Sequence, residues 1–442
     1  MLMSRVKEVS TSRLQNYLDF RQDPIAFFLR MLHEGDIVSL RTGFQPTYVV
    51  NSPDFVREIL VTKDALFKKG RTDKVLRRTI TNGLLTARKE DHKHQRSYYQ
   101  PIFYKERLQH YARTIVEETN RLKESLEKSA SCVIDDEMMQ LTLQIIAKVM
   151  FATDVEEQKK QLADAVSDTI EQTAQTLYTP VILPMAIPTK GNNIHKQAID
   201  TLEDMIYGVI KEARENPEPY KMTMVGMLLD TVSSGGKPIV DEEIRDQMMT
   251  MLLAGHETSA NLVTWIFYAL SKNPEVEKRF HEEIDDIDLE ASPFDLYSKL
   301  SYTQQIIKEG LRMYPPAWLI YRESEGEVEL LGETFKKGST FMICTYAMHR
   351  NEAYFSQPEV FNPDRFAEES GEEHPNFAYV PFGGGSRSCI GSRFAMMETT
   401  LILAMLGKTF TFSLEDNPSV LPDPLVSLRV KDGLKMNVQK RN

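Results

Sequence analysis

The chain has 442 residues, 41% hydrophobic and 26% charged, a globular composition that excludes disordered and fibrous classes. A net charge of −11, with no basic arm or stripe, excludes a general nucleic-acid binder. Cys132, Cys344 and Cys389 stand far apart with no Cys-x-x-Cys pair, which excludes a disulfide framework or cysteine zinc site and fits a reducing cytoplasm.

Length alone suggests about three domains. No linker, repeat or low-complexity tract divides the chain, so one large, mainly helical domain over residues 1–442 is expected. Met1 to Arg30 holds neither a membrane-length apolar run nor a signal-peptide pattern, so no membrane anchor is expected. Near 36–50, Ile37, Val38 and Leu40 precede a turn at Gly43, and Tyr48, Val49 and Val50 follow it, as in a hairpin. Ser52-Pro53 opens a helix to about Leu60. In the run Glu90 to Arg96, His92 and Arg96 lie four apart and share a helix face. Lys89, Lys93 and His94 make the same helix basic, a surface suited to an acidic protein partner. From Asp135 to about Asp154 apolar residues recur at helical spacing, which marks core, and Cys132 before them is a bystander.

Thr179 to Pro188 is apolar but carries three prolines, so it cannot be one continuous helix, although helical patterns flank it. The longest helix pattern then runs from an N-cap at Asp241 to Lys272, where Asn273-Pro274 stops it. Such a rod is on the order of 45 Å long and apolar on more than one face, so it is buried. Its middle, Ala254-Gly255-His256-Glu257-Thr258-Ser259, is an odd interruption for a buried helix. Leu300 to Tyr314 is a further helix, ended by Pro315-Pro316, with Glu309 and Arg312 three apart on one face. Last comes Pro381 to Gly391, a glycine-rich loop that delivers Cys389 to the start of a helix from about Ser392 to Leu406. Gly383, Gly384, Gly385 and Gly391 suit a tight turn, and a helix start favours thiolate over thiol.

That last string, Phe-x-x-Gly-x-Arg-x-Cys-x-Gly with Ala395 four residues further on, resembles the haem-binding signature of the cytochrome P-450 family. The resemblance extends over essentially the whole chain, with four motifs in the family's order. It implies a mainly α fold with small β-sheets (α+β), in which the long helix crosses over the haem. Haem b would be held by the Cys389 thiolate, with Phe382, Arg387 and Gly391 in the same signature. His92, Arg96 and Arg322 stand where the family binds the haem propionates, and Arg387 is a further candidate. In the family's oxygen-activation motif, Ala254 and Gly255 make room for O2, Thr258 supplies a hydrogen bond to it and Glu257 delivers protons. Glu309, Arg312 and Arg365 match the structural Glu-x-x-Arg network. The apolar stretch 179–188 matches the lid over the substrate channel. Met251, Ala317, Trp318, Leu319 and Val426 fall at pocket positions.

The implied protein is a bacterial, cytoplasmic haem-thiolate monooxygenase. It would use O2 to hydroxylate or epoxidise a lipophilic molecule such as a fatty acid, terpenoid or steroid. No flavin or NADPH domain follows the last β-segment, so electrons would come from a separate ferredoxin- or flavodoxin-type donor with its reductase. The alternatives are an H2O2-dependent peroxygenase, a haem-thiolate isomerase or dehydratase, and a non-enzymatic haem-binding protein. The first two would be expected to replace the Glu257–Thr258 pair or lack its Thr, and the third would have little need of it.

Overall fold

The computed structural model describes residues 5–40, 45–152, 159–179, 181–231, 238–288, 292–371, 373–415 and 420–441. Met1, Gly43 and Asp154, named above, lie outside them, as does Pro180 within the 179–188 stretch. The chain divides into two compact units, one from residues 1–74 and 308–389 and the other from 75–307 and 390–442. No helix among the described residues is long and apolar enough to cross a membrane.

The first unit is built on a six-stranded mixed sheet. Its order is Val6–Glu8, Ile37–Leu40, Thr47–Val50, Thr340–Cys344, Leu319–Ser324 and Phe67–Lys68. The hairpin read from sequence is there: Ile37 pairs with Val50 and Leu40 with Thr47, antiparallel. Thr47–Val50 then runs parallel to Thr340–Cys344, which joins the unit's two distant stretches of chain. Ile37, Val50 and Phe341 face a core with Phe55, Leu60 and Val380, and Val38, Val49 and Met342, next to them in the strands, are buried too, so the centre of the sheet is covered on both faces. Pro53 begins a helix as expected, but it ends at Arg57 and continues as a π-helical turn, Glu58–Thr62.

The second unit is mainly helical. Its longest element, the long helix, runs Asp241–Lys272, about 48 Å at 1.5 Å per residue. Asp241 is not the N-cap: extended Val240 is, with no side-chain bond, and Asp241 is the first helical residue, hydrogen-bonded to Arg214. Its carboxylate still serves the helix start, where the N-terminal dipole favours negative charge. Pro274 opens the next helix at its first position, which explains the stop at Lys272. The Ile134–Phe151 helix lies against the long helix, with Thr142 Oγ1 donating to the His256 carbonyl at 3.0 Å. The C-terminal helix, Ser392–Thr409, also packs on the long helix. A three-stranded sheet (Phe410–Leu414, Lys435–Lys440, Ser131–Val133) and a terminal hairpin (Pro422–Pro424 with Leu428–Val430) complete the unit.

Candidate active site

In the first unit the glycine-rich loop is shaped by two of its glycines. Gly383 and Gly385 take φ of +69° and +66°, a region that only glycine enters without strain. A Cβ on Gly385 would stand 1.9 Å from the Leu60 carbonyl oxygen, so the loop is pressed against the π-helical turn. Ser386 hydrogen-bonds Asp64, and the Cys389 N–H donates to the Phe382 carbonyl at 2.9 Å. The loop is thus braced where it leads into an exposed Cys389. The cysteine does not open a helix; the C-terminal helix begins three residues later, at Ser392, capped by Gly391 at an ordinary φ of −89°.

Glu309, Arg312 and Arg365 do come together. Arg312 Nε and Nη2 grip Glu309 Oε2 and Oε1 at 2.8 Å each, and Arg365 Nε stands 3.5 Å from Glu309 Oε2. Arg312 Nη1 also donates to the His349 carbonyl at 2.8 Å, and Asn362 N–H donates to Glu309 Oε1 at 2.9 Å. Glu309 and Arg312 have no solvent exposure, and such a pair persists buried only when its remaining polar atoms are satisfied, as here.

Three cations of this unit act on one another: Lys69, Arg322 and Arg387. Burial, then Arg322 and Arg387, pull the Lys69 ammonium down to about 7. Burial pulls Arg322 to about 10 and also lowers Arg387. Asp64 opposes the shift at all three, and Asp73 at Lys69 and Arg387. The cluster suits an anionic group carrying more than one charge.

The second unit carries the other motifs. Ala254 is exposed in the middle of the long helix, whereas Leu252, His256, Glu257, Ser259 and Ala260 are buried. Thr258 is half-buried and donates its hydroxyl to the Ala254 carbonyl at 3.0 Å. Gly255 serves packing: an added Cβ would lie 3.3 Å from two side-chain carbons of Ile146, so Gly255 is where the two helices approach. Glu257 is not open to solvent. It is buried and accepts from Arg429 Nε of the terminal hairpin at 2.5 Å. On the Lys89–Tyr99 helix, His92 is buried and Arg96 half-buried, while Lys89 and Lys93 are exposed. His94 instead packs its ring against Tyr98, at 5.0 Å.

The pocket positions divide. Met251 is half-buried and Val426 is 37% exposed in the second unit. In the first, Ala317 is exposed and Leu319 half-buried. Trp318 is buried in the first unit, edge-on to Phe28 at 6.1 Å. It sits beside the strand that begins at Leu319, and side chains of adjacent residues in extended chain point to opposite sides.

The family model for cytochrome P450 matches residues 10–437. The chain belongs to the cytochrome P450 family. It is 32% identical to cyclooctat-9-en-7-ol 5-monooxygenase of Streptomyces melanosporofaciens, over 87% of this chain and 84% of that protein. It is 31% identical to cyclooctatin synthase of the same organism, over 92% and 89% of the two chains. Pentalenene oxygenase of Streptomyces avermitilis is 30% identical over 95% and 93%. This cytochrome P450 is therefore an oxidoreductase of the monooxygenase type, with the α+β fold of its family. Membership implies haem with a cysteine thiolate ligand and the use of O2. The residues present fit that group: an exposed sulfur on a braced loop, and a cation cluster suited to carboxylates. Two residues of this P450 escaped the sequence. Lys69 follows Lys68 in an unremarkable strand end, and only the fold sets it beside Arg322 and Arg387. Arg429 lies in an alternating β-segment like any surface residue until the hairpin delivers it to Glu257.

Proposed function

We propose that this P450 inserts one oxygen atom from O2 into a lipophilic hydrocarbon of terpenoid type, by hydroxylation or epoxidation. It would work in the cytoplasm with electrons from a ferredoxin- or flavodoxin-type donor and its reductase. The observation that carries this reading is the middle of the long helix, where Ala254 is exposed within a buried stretch and Glu257 and Thr258 follow within one turn. Relatives named for cyclooctat-9-en-7-ol and pentalenene support an alkene-bearing skeleton as substrate. The exposed Val181, Leu183 and Ile187 support an apolar lid over the route such a molecule would take.

Haem b, bound through the Cys389 thiolate, would supply the iron that accepts electrons and activates O2. Ala254 keeps its stretch of helix open because it projects only a methyl group. The Thr258 hydroxyl holds its proton on the Ala254 carbonyl and can turn about one bond to donate elsewhere. Glu257 is the buried carboxylate that passes protons inward, and Arg429 is its ion-pair partner at 2.5 Å. Lys69, Arg322 and Arg387 would be cations for the haem carboxylates. Glu309, Arg312 and Arg365 brace the chain that leads to Cys389.

The test is the CO-difference spectrum of the dithionite-reduced protein, wild type against Cys389→Ala. A strongly red-shifted Soret band in wild type, lost in the variant, is expected. Reductant-dependent oxygenation of a terpenoid hydrocarbon should follow. An unshifted band in both proteins, or product formed with peroxide but never with reductant and O2, would overturn the reading.

A further inference from the structure

The terminal hairpin touches the long helix at three points. Arg429 Nε donates to Glu257 Oε1 at 2.5 Å, Asn261 Nδ2 to Ser427 Oγ at 2.7 Å and Trp265 Nε1 to the Leu428 carbonyl at 3.1 Å. Glu257, Asn261 and Trp265 are four apart, so they form one strip along the helix that the hairpin covers. The same hairpin is held from a third element. Tyr178, the last residue of the Lys159–Tyr178 helix, donates its hydroxyl to the carbonyls of Pro424 and Leu425, at 2.8 and 3.0 Å. Tyr178 is also where the chain leaves that helix for the apolar segment 181–189. Finally, Arg429 has a second carboxylate within reach. Asp423 is its direct partner across the hairpin, half-buried, and burial raises its carboxyl while Arg429 opposes the shift.

We propose that Arg429 is a positioning residue for Glu257, and that Tyr178 makes its grip depend on the segment that follows Tyr178. One guanidinium faces two carboxylates. While Tyr178 clamps the hairpin tip, Arg429 stays on Glu257 and holds that carboxylate against the hairpin. When the segment shifts and Tyr178 lets go, Arg429 passes to Asp423 and Glu257 turns from the hairpin toward Thr258. Arrival of substrate under the segment is thereby linked to proton delivery. The only chemical transfer in this step is of protons, which reach Glu257 once its pair with Arg429 has opened and leave toward Thr258. The catalytic part of this inference rests on the proposed role of Glu257; the mechanical part, from Tyr178 to the hairpin, does not.

The two parts are tested separately in haem-loaded protein. Hydrogen–deuterium exchange, without reductant, reads the mechanical link. Tyr178→Phe should raise exchange across 425–430 and at the Trp265 indole by about tenfold, one hydrogen bond's worth, with the CO spectrum unchanged. Exchange in this region at the wild-type rate would overturn the link. Oxygenation with reductant reads the positioning role. Arg429→Gln should raise the share of electrons lost to H2O2 several-fold and alter the solvent isotope effect, with Arg429→Lys restoring most of both. Asp423→Asn, which leaves the Glu257–Arg429 pair in place, should enlarge the solvent isotope effect because the guanidinium loses its alternative partner. Wild-type isotope effects in both Arg429→Gln and Asp423→Asn would overturn the positioning role. If wild type itself shows no reductant-driven oxygenation, the proposed function fails, and with it the catalytic part, while the exchange result stands.

Discussion

Glu398 on the C-terminal helix is fully buried, and its Oε2 has no hydrogen-bond partner. Burial raises its carboxyl from 4.5 to about 8, against a hydrogen bond from Ser259 that pulls the other way. The folded chain therefore keeps a proton between those two values that the unfolded chain has lost. Stability contributed by this group is present below pH 4.5 and falls as pH rises toward about 8, by up to about 1.4 kcal/mol per pH unit. Glu398→Gln keeps the shape and removes the titration, so its denaturation midpoint should exceed that of wild type increasingly from pH 5 to pH 8. Parallel profiles for the two proteins would show that Glu398 is ionised in the folded state. Nothing in the sequence around Glu398 marks it, because an acid on a helix is most often solvated. Glu257 was legible for the opposite reason: its neighbours Ala254 and Thr258 give it a context, although not its partner Arg429. Single residues are readable where a local pattern surrounds them and hidden where the fold alone supplies the neighbour.

Elements were readable where the pattern is periodic or broken by proline. The long helix stops at Lys272 because Pro274 follows, and the 181–189 segment stays non-helical between the helices ending at Tyr178 and starting at Lys190. Turns whose geometry depends on a distant element were not. The four glycines before and after Cys389 look equivalent in sequence, yet only Gly383 and Gly385 need positive φ, and only Gly385 is pressed against the Leu60 carbonyl. Gly385→Ala should therefore cost about 3 kcal/mol or more, from a left-handed backbone together with a clash that no rotamer can relieve. Gly326→Ala, with nothing within 4 Å of its added Cβ, is the control and should be nearly neutral. The readouts are the denaturation midpoint and the fraction of protein giving the red-shifted CO band. Equal behaviour of the two variants would mean that the loop does not depend on this contact.

At the scale of the whole molecule, the absence of a linker leads to the expectation of one domain, whereas the contacts fall into two compact units. The way the chain threads them favours a single cooperative unit all the same. Residues 1–74 and 308–389 make up one unit, so its parallel pairing of Thr47–Val50 with Thr340–Cys344 forms only after 75–307 has been accommodated. The other unit likewise recovers its C-terminal helix only from beyond Cys389. Neither unit is a contiguous stretch that could fold and detach as a bead on a string. The sequence supplies one tryptophan reporter for each: Trp318 in the first unit and Trp265 in the second, both buried. We therefore expect Trp265→Phe and Trp318→Phe, each leaving one reporter, to show emission changes that coincide with the loss of helical circular dichroism measured on the same variant. Coincident transitions are the signature of all-or-none unfolding. A tryptophan transition displaced from the circular-dichroism transition of its own variant would mean that the two units unfold separately, and would replace the single domain with two.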